Sequence, residues 1–265
     1  MIGGVPILMY HQVAPRPPRE FRRYAVTRRM FRAHMTWLAL TGHRAIDLDT
    51  LLQQRASHGP PPPNRVVITF DDGIQDCVEH AAPILSEHGF SATFYLVAGL
   101  IGQTSRWTRD DVGIELPLMD WAAARELQAA GFEIGSHTMS HARLPSLPTE
   151  ACREELARSR HVLEDRLGRT VGHLAYPFGA FDADVRRMAA DAGYRSACST
   201  RSGVSPPDDD VFALHRVNVY GHDTLLDFAC RLRTGRSARE LLSHFRRRLS
   251  FPIAGRRWPR SRRRR

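Results

Sequence analysis

The sequence lacks the features that would mark a secreted, membrane-spanning or cysteine-stabilised protein. Its N-terminus has no basic segment followed by an apolar core and a small-residue cleavage site, the pattern of a signal peptide. No apolar run reaches the roughly 18 to 20 residues that a bilayer-spanning helix needs. The four cysteines form no CxxC pair, which argues against a zinc finger or a thioredoxin-type site. We therefore expect a cytoplasmic protein with reduced, mostly buried cysteines, unless a misplaced start codon has removed an export signal.

Lysine is also absent, so all 38 basic side chains are arginine. Ten of these arginines lie between Arg246 and Arg265, a stretch without acidic residues. The remaining 28 arginines balance the 28 acidic residues, so the net charge of +10 is a property of the C-terminal tail. Such a tail, with Phe251 and Trp258 among its arginines, suits an anionic membrane surface better than nucleic acid. A solvated tail without any partner is the alternative.

The 265-residue chain, with 42% hydrophobic and 25% charged residues, has the composition of an ordinary globular protein. Apolar runs predict buried strands at 5–10, 66–70, 92–98, 132–135 and 173–176, and helical patterns occur at 31–40, 81–87, 121–130, 150–167 and 182–192. This alternation predicts an α/β fold with a parallel sheet and covering helices, either open or closed as a barrel. Asp71, His137 and Phe178 each follow a predicted strand, so they can meet at one rim.

Asp71 and Asp72 are adjacent carboxylates at a predicted strand end, followed by Gly73. Their mutual repulsion is costly unless a positive group lies beside them. A metal ion would meet this need if one carboxylate bound it and the other accepted a proton from the attacking water. The alternative is a surface turn, because Asp-Asp-Gly is a common turn sequence.

His137 and His141 are spaced i, i+4, which on a helical turn would bring both imidazoles to one face. Two histidines and one carboxylate suit a catalytic metal, because they leave positions open for water and substrate. With thirteen histidines in the chain, such a pair also arises by chance. Its position after a strand, like that of the Asp pair, favours a shared metal centre.

Two further segments have weaker signals. The Pro177-Phe178-Gly179 turn could direct a backbone N–H toward a developing oxyanion, or be a plain connection. His11 follows the first predicted strand and could act as a general acid, although a structural histidine is equally consistent with the pattern. His215 is the competing candidate for the acid.

Three motifs, TFDDG at 69–73, SHTMSH at 136–141 and AYPFG at 175–179, resemble those of polysaccharide deacetylases of the NodB-homology class, carbohydrate esterase family 4. The resemblance extends from Pro6 to about Val219. The opening PILMYH segment is similar to the permuted subset that acts on poly-N-acetylglucosamine. The resemblance implies a distorted (β/α)7 barrel as a single catalytic domain at 1–235, followed by a helix and an Arg-rich tail at 236–265.

The same resemblance implies a role for each matched residue. Asp71 would be the general base and His11 the general acid, and the N–H of Phe178 would stabilise the oxyanion. The implied metal ligands are Asp72, His137 and His141. Zinc is the expected ion, with Co²⁺ or Ni²⁺ as alternatives.

One position departs from the family pattern. Many members have Arg where this chain has Ala175, and that Arg contacts the base. We hypothesise that Arg216 supplies the missing contact with Asp71 from a downstream segment.

The function implied is hydrolysis of the N-acetyl group of an amino sugar in a glycan or glycan precursor. Two alternatives stay open. One is a deacylase or deformylase of a small or lipid-linked amino sugar, which the apparent lack of an export signal favours. The other is a basic-tailed protein that binds membranes or nucleic acid and has an inactive deacetylase fold.

Overall fold

The computed structural model describes residues 4–57 and 62–249, and within them seven parallel strands close into a barrel. The described strands are β1 (Ile7–Tyr10), β2 (Gln12–Ala14), β3 (Ala25–Thr27), β4 (Arg44–Ala45), β5 (Arg65–Phe70), β6 (Thr93–Leu96), β7 (Glu133–Ser136), β8 (His173–Ala175), β9 (Ser196–Ser202) and β10 (Leu214–Asn218). The barrel order is β1-β10-β9-β8-β7-β6-β5, and β5 pairs again with β1. The predicted distorted (β/α)7 barrel is therefore confirmed.

The strand β1 closes the barrel because it has a parallel neighbour on each side. Leu8 aligns with Ile68 of β5 on one side and with Val217 of β10 on the other. All four residues of β1 are buried. Burial on both faces explains why this strand is a continuous apolar run rather than an alternating one. Outside the ring, β4 pairs in parallel with β5, and β2 pairs in parallel with β3.

Helices surround the barrel and connect its strands. Those that the structure describes are α1 (Arg28–Leu40), α2 (Leu48–Ala56), α3 (Asp76–His80), α4 (Ala82–His88), α5 (Trp107–Val112), α6 (Trp121–Ala129), α7 (Thr149–Leu167), α8 (Ala183–Asp191), α9 (Leu225–Thr234) and α10 (Ala238–Leu249). None of these helices is both long and apolar enough to cross a membrane.

Several helix ends predicted from local sequence signals lie within one or two residues of the ends in the structure. The Asp120 side chain accepts a hydrogen bond from the N–H of Ala123 at 2.8 Å, the N-cap predicted for α6. Gly89 and Gly168 end α4 and α7 with φ of 63° and 64°, a conformation that glycine adopts without steric cost. Helices α2, α3, α5 and α9 and strands β2, β3, β4, β9 and β10 were not predicted from the sequence.

Large side chains, one of them charged, fill part of the barrel interior. Tyr95 of β6 is fully buried inside, and Gly135 on the neighbouring β7 leaves room for its ring, because a Cβ there would collide with that ring. Arg216 of β10 is also fully buried and lies 5.9 Å from the centre of the Tyr95 ring. The interior therefore contains a charge that needs a buried partner.

Some predictions fall partly outside the described residues. The predicted C-terminal segment at 236–265 is described only to residue 249, so most of its Arg-rich tail lies outside the described residues. Three of the four cysteines are buried and all four are free, as predicted. The helix α10 contacts α9, since the N–H of Ala238 donates to Asp227 at 3.1 Å. The proposed domain division at residue 235 stays a prediction.

Candidate active site and metal centre

Residues from the ends of several strands meet at the C-terminal rim of the barrel. Asp71 and Asp72 follow β5, His137 follows β7, and Phe178 lies just beyond β8. All four line a cavity of about 520 Å³. The prediction that these segments share one rim is therefore confirmed.

Asp72, His137 and His141 form a group of buried ligand atoms. The Nε2 atoms of His137 and His141 each lie 3.4 Å from Oδ1 of Asp72. This distance is long for a hydrogen bond. It matches the edge of about 3.3 Å expected between ligands that hold zinc tetrahedrally at 2.0–2.1 Å. The three side chains therefore fit a shared divalent ion.

The orientation of His137 supports the same reading. Its Nδ1 lies 2.7 Å from the backbone oxygen of Ala175, which can only accept a hydrogen bond. Nδ1 therefore carries the proton, and in the neutral ring the lone pair of Nε2 faces Asp72. Such a hydrogen bond on the far nitrogen is typical of metal-binding histidines.

His141 is held by packing rather than by a hydrogen bond. Its Nδ1 is buried and has no hydrogen-bond partner among the residues that the structure describes. The indole of Trp107 stacks on its ring at 4.1 Å, and the Phe178 ring meets it edge-on at 4.7 Å. Burial lowers the pKa of His141, which favours the neutral, ligating form.

The helical turn predicted for this histidine pair is wrong. The residues between His137 and His141 form a loop, in which Thr138 and His141 have φ of 68° and 62°. Side-chain oxygens hold this loop, since Ser136 accepts from the N–H of Thr138 and Thr138 accepts from the N–H of His141, both at 3.2 Å. The imidazoles converge through left-handed backbone rather than through helical spacing.

Asp71 is bound by Arg216, the contact that the departure at Ala175 led us to expect. Both guanidinium Nη atoms donate to the two carboxylate oxygens at 2.7 Å, and both side chains are buried. The Nε of Arg216 donates to the backbone oxygen of Ser199 at 2.8 Å, which fixes the guanidinium plane. Burial would raise the pKa of Asp71, but Arg216 outweighs it, so the pKa lies below its usual value.

Asp72 is ionised for a different reason. Burial alone would raise the pKa of its carboxyl, but hydrogen bonds from ring N–H groups of His137 and His141 hold that pKa well below the usual value. A divalent ion between the three side chains would supply the same positive charge to Asp72 while both rings act as neutral ligands. The two adjacent carboxylates thus face different partners, Arg216 on one side and the histidine pair on the other. This separation explains how both charges are tolerated next to each other.

Phe178 has the backbone conformation of a tight turn, with φ of 58°, followed by Gly179 at 64°. The N–H groups of Gly179 and Ala180 donate to Tyr176 and Pro177. For the N–H of Phe178, no acceptor occurs within the described part of the chain. It is therefore available as a donor at the rim.

The two candidates for the acid occupy different places. His11 follows β1 and lines the same cavity as Asp71 and Asp72. His215 does not line that cavity, and its Nδ1 lies 2.9 Å from Oδ1 of Asp209. Of these two histidines, His11 has the geometry to reach a substrate at the rim.

The cavity also contains residues that the sequence motifs did not predict. Trp107 comes from α5, Arg23 and Tyr24 from the segment before β3, and Tyr220 from the loop after β10. These residues lie in loops and a short helix without periodic patterns. For Tyr24, Trp107 and Tyr220, the one sequence feature that could have indicated a role in the site was an aromatic residue outside the apolar runs.

The chain is similar to several known proteins. The family model described as polysaccharide deacetylase matches residues 58–197, slightly more than half of the chain. The Bacillus subtilis protein YxkH is 27% identical over 81% of this chain and 71% of its own. A poly-beta-1,6-N-acetyl-D-glucosamine N-deacetylase of Staphylococcus epidermidis is 22% identical over 80% and 78%.

A solved structure has the same fold. The Streptococcus pyogenes deacetylase PplD, in complex with acetate, superposes with a TM-score of 0.76 at 21% identity, covering 89% of this chain and all of that one. The family model includes the Asp pair, the histidine pair and Phe178, whereas His11 and Arg216 lie outside its range.

Proposed function

We propose, from the premise that this chain belongs to the polysaccharide deacetylase family, that it removes N-acetyl groups from an amino sugar with the help of a divalent ion. The chain is a hydrolase of the carbohydrate N-deacetylase class. The metal-dependent reaction is proposed because the two adjacent carboxylates have different partners. Asp72 faces two histidine nitrogens at 3.4 Å, while Asp71 is bound on both oxygens by Arg216.

Asp72, His137 and His141 would hold the ion. Zinc suits one carboxylate and two imidazoles, and Co²⁺ or Ni²⁺ are alternatives with similar ligand preferences. When bound, such an ion acts as a Lewis acid toward a carbonyl and lowers the pKa of water.

Asp71 would act as the general base. Its lowered pKa keeps the carboxylate ionised at neutral pH, ready to accept a proton from the attacking water. The two hydrogen bonds from Arg216 hold it in a single orientation beside the metal ligands. This arrangement supports a division in which Asp72 ligates and Asp71 moves the proton.

Two other groups would complete the reaction. The free N–H of Phe178 would donate to the oxyanion that develops on the acetamide carbonyl. His11, which lines the same cavity, would protonate the departing sugar nitrogen. The products would be acetate and a free amine on the sugar.

The proposed substrate is a glycan that contains N-acetylglucosamine. The relative from Staphylococcus epidermidis is named for poly-beta-1,6-N-acetyl-D-glucosamine, which supports this class. The open cavity of about 520 Å³ offers the aromatic rings of Tyr24, Trp107 and Tyr220 for stacking against sugar faces.

The decisive test is acetate release from oligomers of β-1,6-linked N-acetylglucosamine and from chitooligosaccharides, with the bound metal quantified. We expect Asp71→Asn to lower the rate by about 10² to 10⁴-fold while metal content is retained. The matched control is Asp110→Asn, an exposed carboxylate nearby on α5 that does not line the cavity. Absence of both metal and acetate release with every amide sugar would refute the proposal.

The location and the tail form a separate part of the proposal. We propose a cytoplasmic protein whose Arg-rich tail binds an anionic membrane surface. Sedimentation with anionic vesicles should fall when residues 251–265 are deleted, and vesicles of neutral lipid are the control. Equal sedimentation of both forms would contradict a role for the tail.

A further inference from the structure

A second group of potential metal ligands lies at the opposite, N-terminal end of the barrel. It consists of Asp49 in the first turn of α2, Glu133 at the start of β7 and His173 at the start of β8. We propose that these three residues bind a second divalent ion of the zinc class, separate from the active site. Because Glu133 and His137 are four residues apart along one strand direction, the two sites are separated by about 13 Å.

The three ligand atoms converge on one point. Nε2 of His173 lies 3.2 Å from Oδ1 of Asp49 and 3.1 Å from Oε1 of Glu133. The ligand atoms of the group all lie within 4.8 Å of one another. The two measured separations are close to the edge of about 3.3 Å of a tetrahedral zinc site. One nitrogen and two carboxylate oxygens form a suitable ligand set for such an ion.

Each of the three side chains has a second polar atom that faces away from the group, and a residue outside the group forms a hydrogen bond with that atom. Nδ1 of His173 lies 2.8 Å from the Ser196 hydroxyl, and Oε2 of Glu133 accepts from the Thr93 hydroxyl at 2.6 Å. Oδ2 of Asp49 accepts from the Arg195 guanidinium at 2.8 Å. These contacts leave Nε2, Oε1 and Oδ1 directed at each other. Supporting hydrogen bonds of this kind orient the ligands of protein metal sites.

Neighbouring strands and one glycine support this arrangement. Thr93 aligns with Glu133, and His173 aligns with Ser196, so two of the supporting contacts run directly across paired strands. Gly172 leaves space for the guanidinium of Arg195, because a Cβ at this position would collide with it. The geometry is therefore built into the strand register and is not a chance meeting of surface side chains.

The excess negative charge of the group favours a positive occupant. The His173 side chain is completely buried, and its Nε2 faces two carboxylates. Arg195 balances the charge of only one of them. A neutral imidazole that donates from Nδ1 to Ser196 would direct its lone pair at the carboxylates, which is unfavourable without a cation between them. A proton on Nε2 is the competing occupant, and the experiment below distinguishes it from a metal ion.

An ion can reach this group from solvent. The side chains of Glu133 and Asp49 are 22% and 36% exposed and line a surface cavity of about 230 Å³. The bound ion would link α2 to β7 and β8, elements far apart along the chain. Its expected role is structural, since none of its ligands lines the cavity at the opposite rim.

The test measures zinc in the full chain whose first site is disabled by Asp72→Asn and His141→Gln. After dialysis against zinc, we expect about one ion per chain in this background and about two in the wild type. Adding Glu133→Gln should remove the remaining ion and abolish the zinc-dependent rise in melting temperature. The matched control is Glu126→Gln, an exposed glutamate on α6, which should retain the ion.

Because the readout is metal content in a background whose first site is disabled, the result is independent of deacetylase activity and of the proposed function. If Glu133→Gln fails to fold, as judged by circular dichroism, Asp49→Asn in the half-buried first turn of α2 replaces it. A folded background protein that binds no zinc would overturn the proposal and would leave a proton on His173 as the occupant. Retention of the ion by both folded ligand variants would also overturn it.

Discussion

Replacing Arg216 by methionine should destabilise the protein strongly, because it leaves the Asp71 carboxylate buried without its partner. The pair consists of two charge-assisted hydrogen bonds of 2.7 Å between side chains that are 0% and 4% exposed. Removing one partner of such a pair costs about 3–5 kcal/mol. Urea unfolding at pH 7 measures this loss. Arg32→Met, which breaks an exposed ion pair with Glu87, is the matched control and should have a much smaller effect.

The pH dependence provides a sharper check of the same reasoning. In the wild type the folded pKa of Asp71 is lowered, so the stability it contributes is present above the unfolded value of about 3.9 and is lost as pH falls through the folded pKa. Without Arg216, burial alone would raise that pKa, so the carboxyl of the variant can become neutral at mild acidity. The stability difference between wild type and Arg216→Met should therefore shrink from pH 7 to pH 4.

Two outcomes would refute this account. A loss below about 1 kcal/mol at pH 7 would mean that the carboxylate finds another partner. A stability difference that stays constant down to pH 4 would mean that Asp71 is not the group responsible. For catalysis, an unchanged rate in Arg216→Ala, alongside loss of activity in Asp71→Asn, would exclude a role for Arg216 in holding the base.

Three further predictions follow from single residues. His11→Gln should lower acetate release about 10² to 10⁴-fold, whereas His215→Gln should leave it within a few-fold; equal effects would contradict the assignment of the acid. Gly179→Ala should destabilise the protein by about 1–3 kcal/mol in urea unfolding, because the new Cβ would lie 2.7 Å from the Cβ of Thr200 at a φ of 64°. Burial lowers the pKa of His34 to about 3, so the native state excludes a proton that the unfolded chain binds below about pH 6.5. In urea unfolding, the free energy of unfolding of the wild type should fall by about 2 kcal/mol from pH 7 to pH 5, and this loss should be absent in His34→Gln. The same pH dependence in both proteins would refute the prediction.

Helix ends and buried strands were predictable because their signals are local. The Asp120 cap and the glycines after α4 and α7 act within one turn of chain, so neighbouring residues suffice to identify them. The helices α2 and α5 were missed. Both are short and carry few apolar residues at helical spacing, and tertiary contacts stabilise such segments more than propensity does.

The site also has one part that the sequence predicted and one part that it did not. The residue types at 71, 72, 137 and 141 specified carboxylates and imidazoles at strand ends, which is enough to predict a metal centre. The i, i+4 spacing of the histidine pair suggested a helical turn. The two imidazoles instead converge because Thr138 and His141 have left-handed backbone conformations. Backbone conformation at such positions depends on contacts with distant segments, as in the packing of Trp107 on His141.

The sequence by itself determined the alternation of strands and helices, the carboxylates and imidazoles at the strand ends, and the departure at Ala175 that made Arg216 a candidate. Only the tertiary structure decided that Arg216 reaches Asp71, that His11 rather than His215 lines the cavity, and that Asp49, Glu133 and His173 meet at the other end of the barrel. Residue type and local pattern are written in neighbouring residues. Contacts between segments more than a hundred residues apart depend on strand order and register, which arise when the barrel closes.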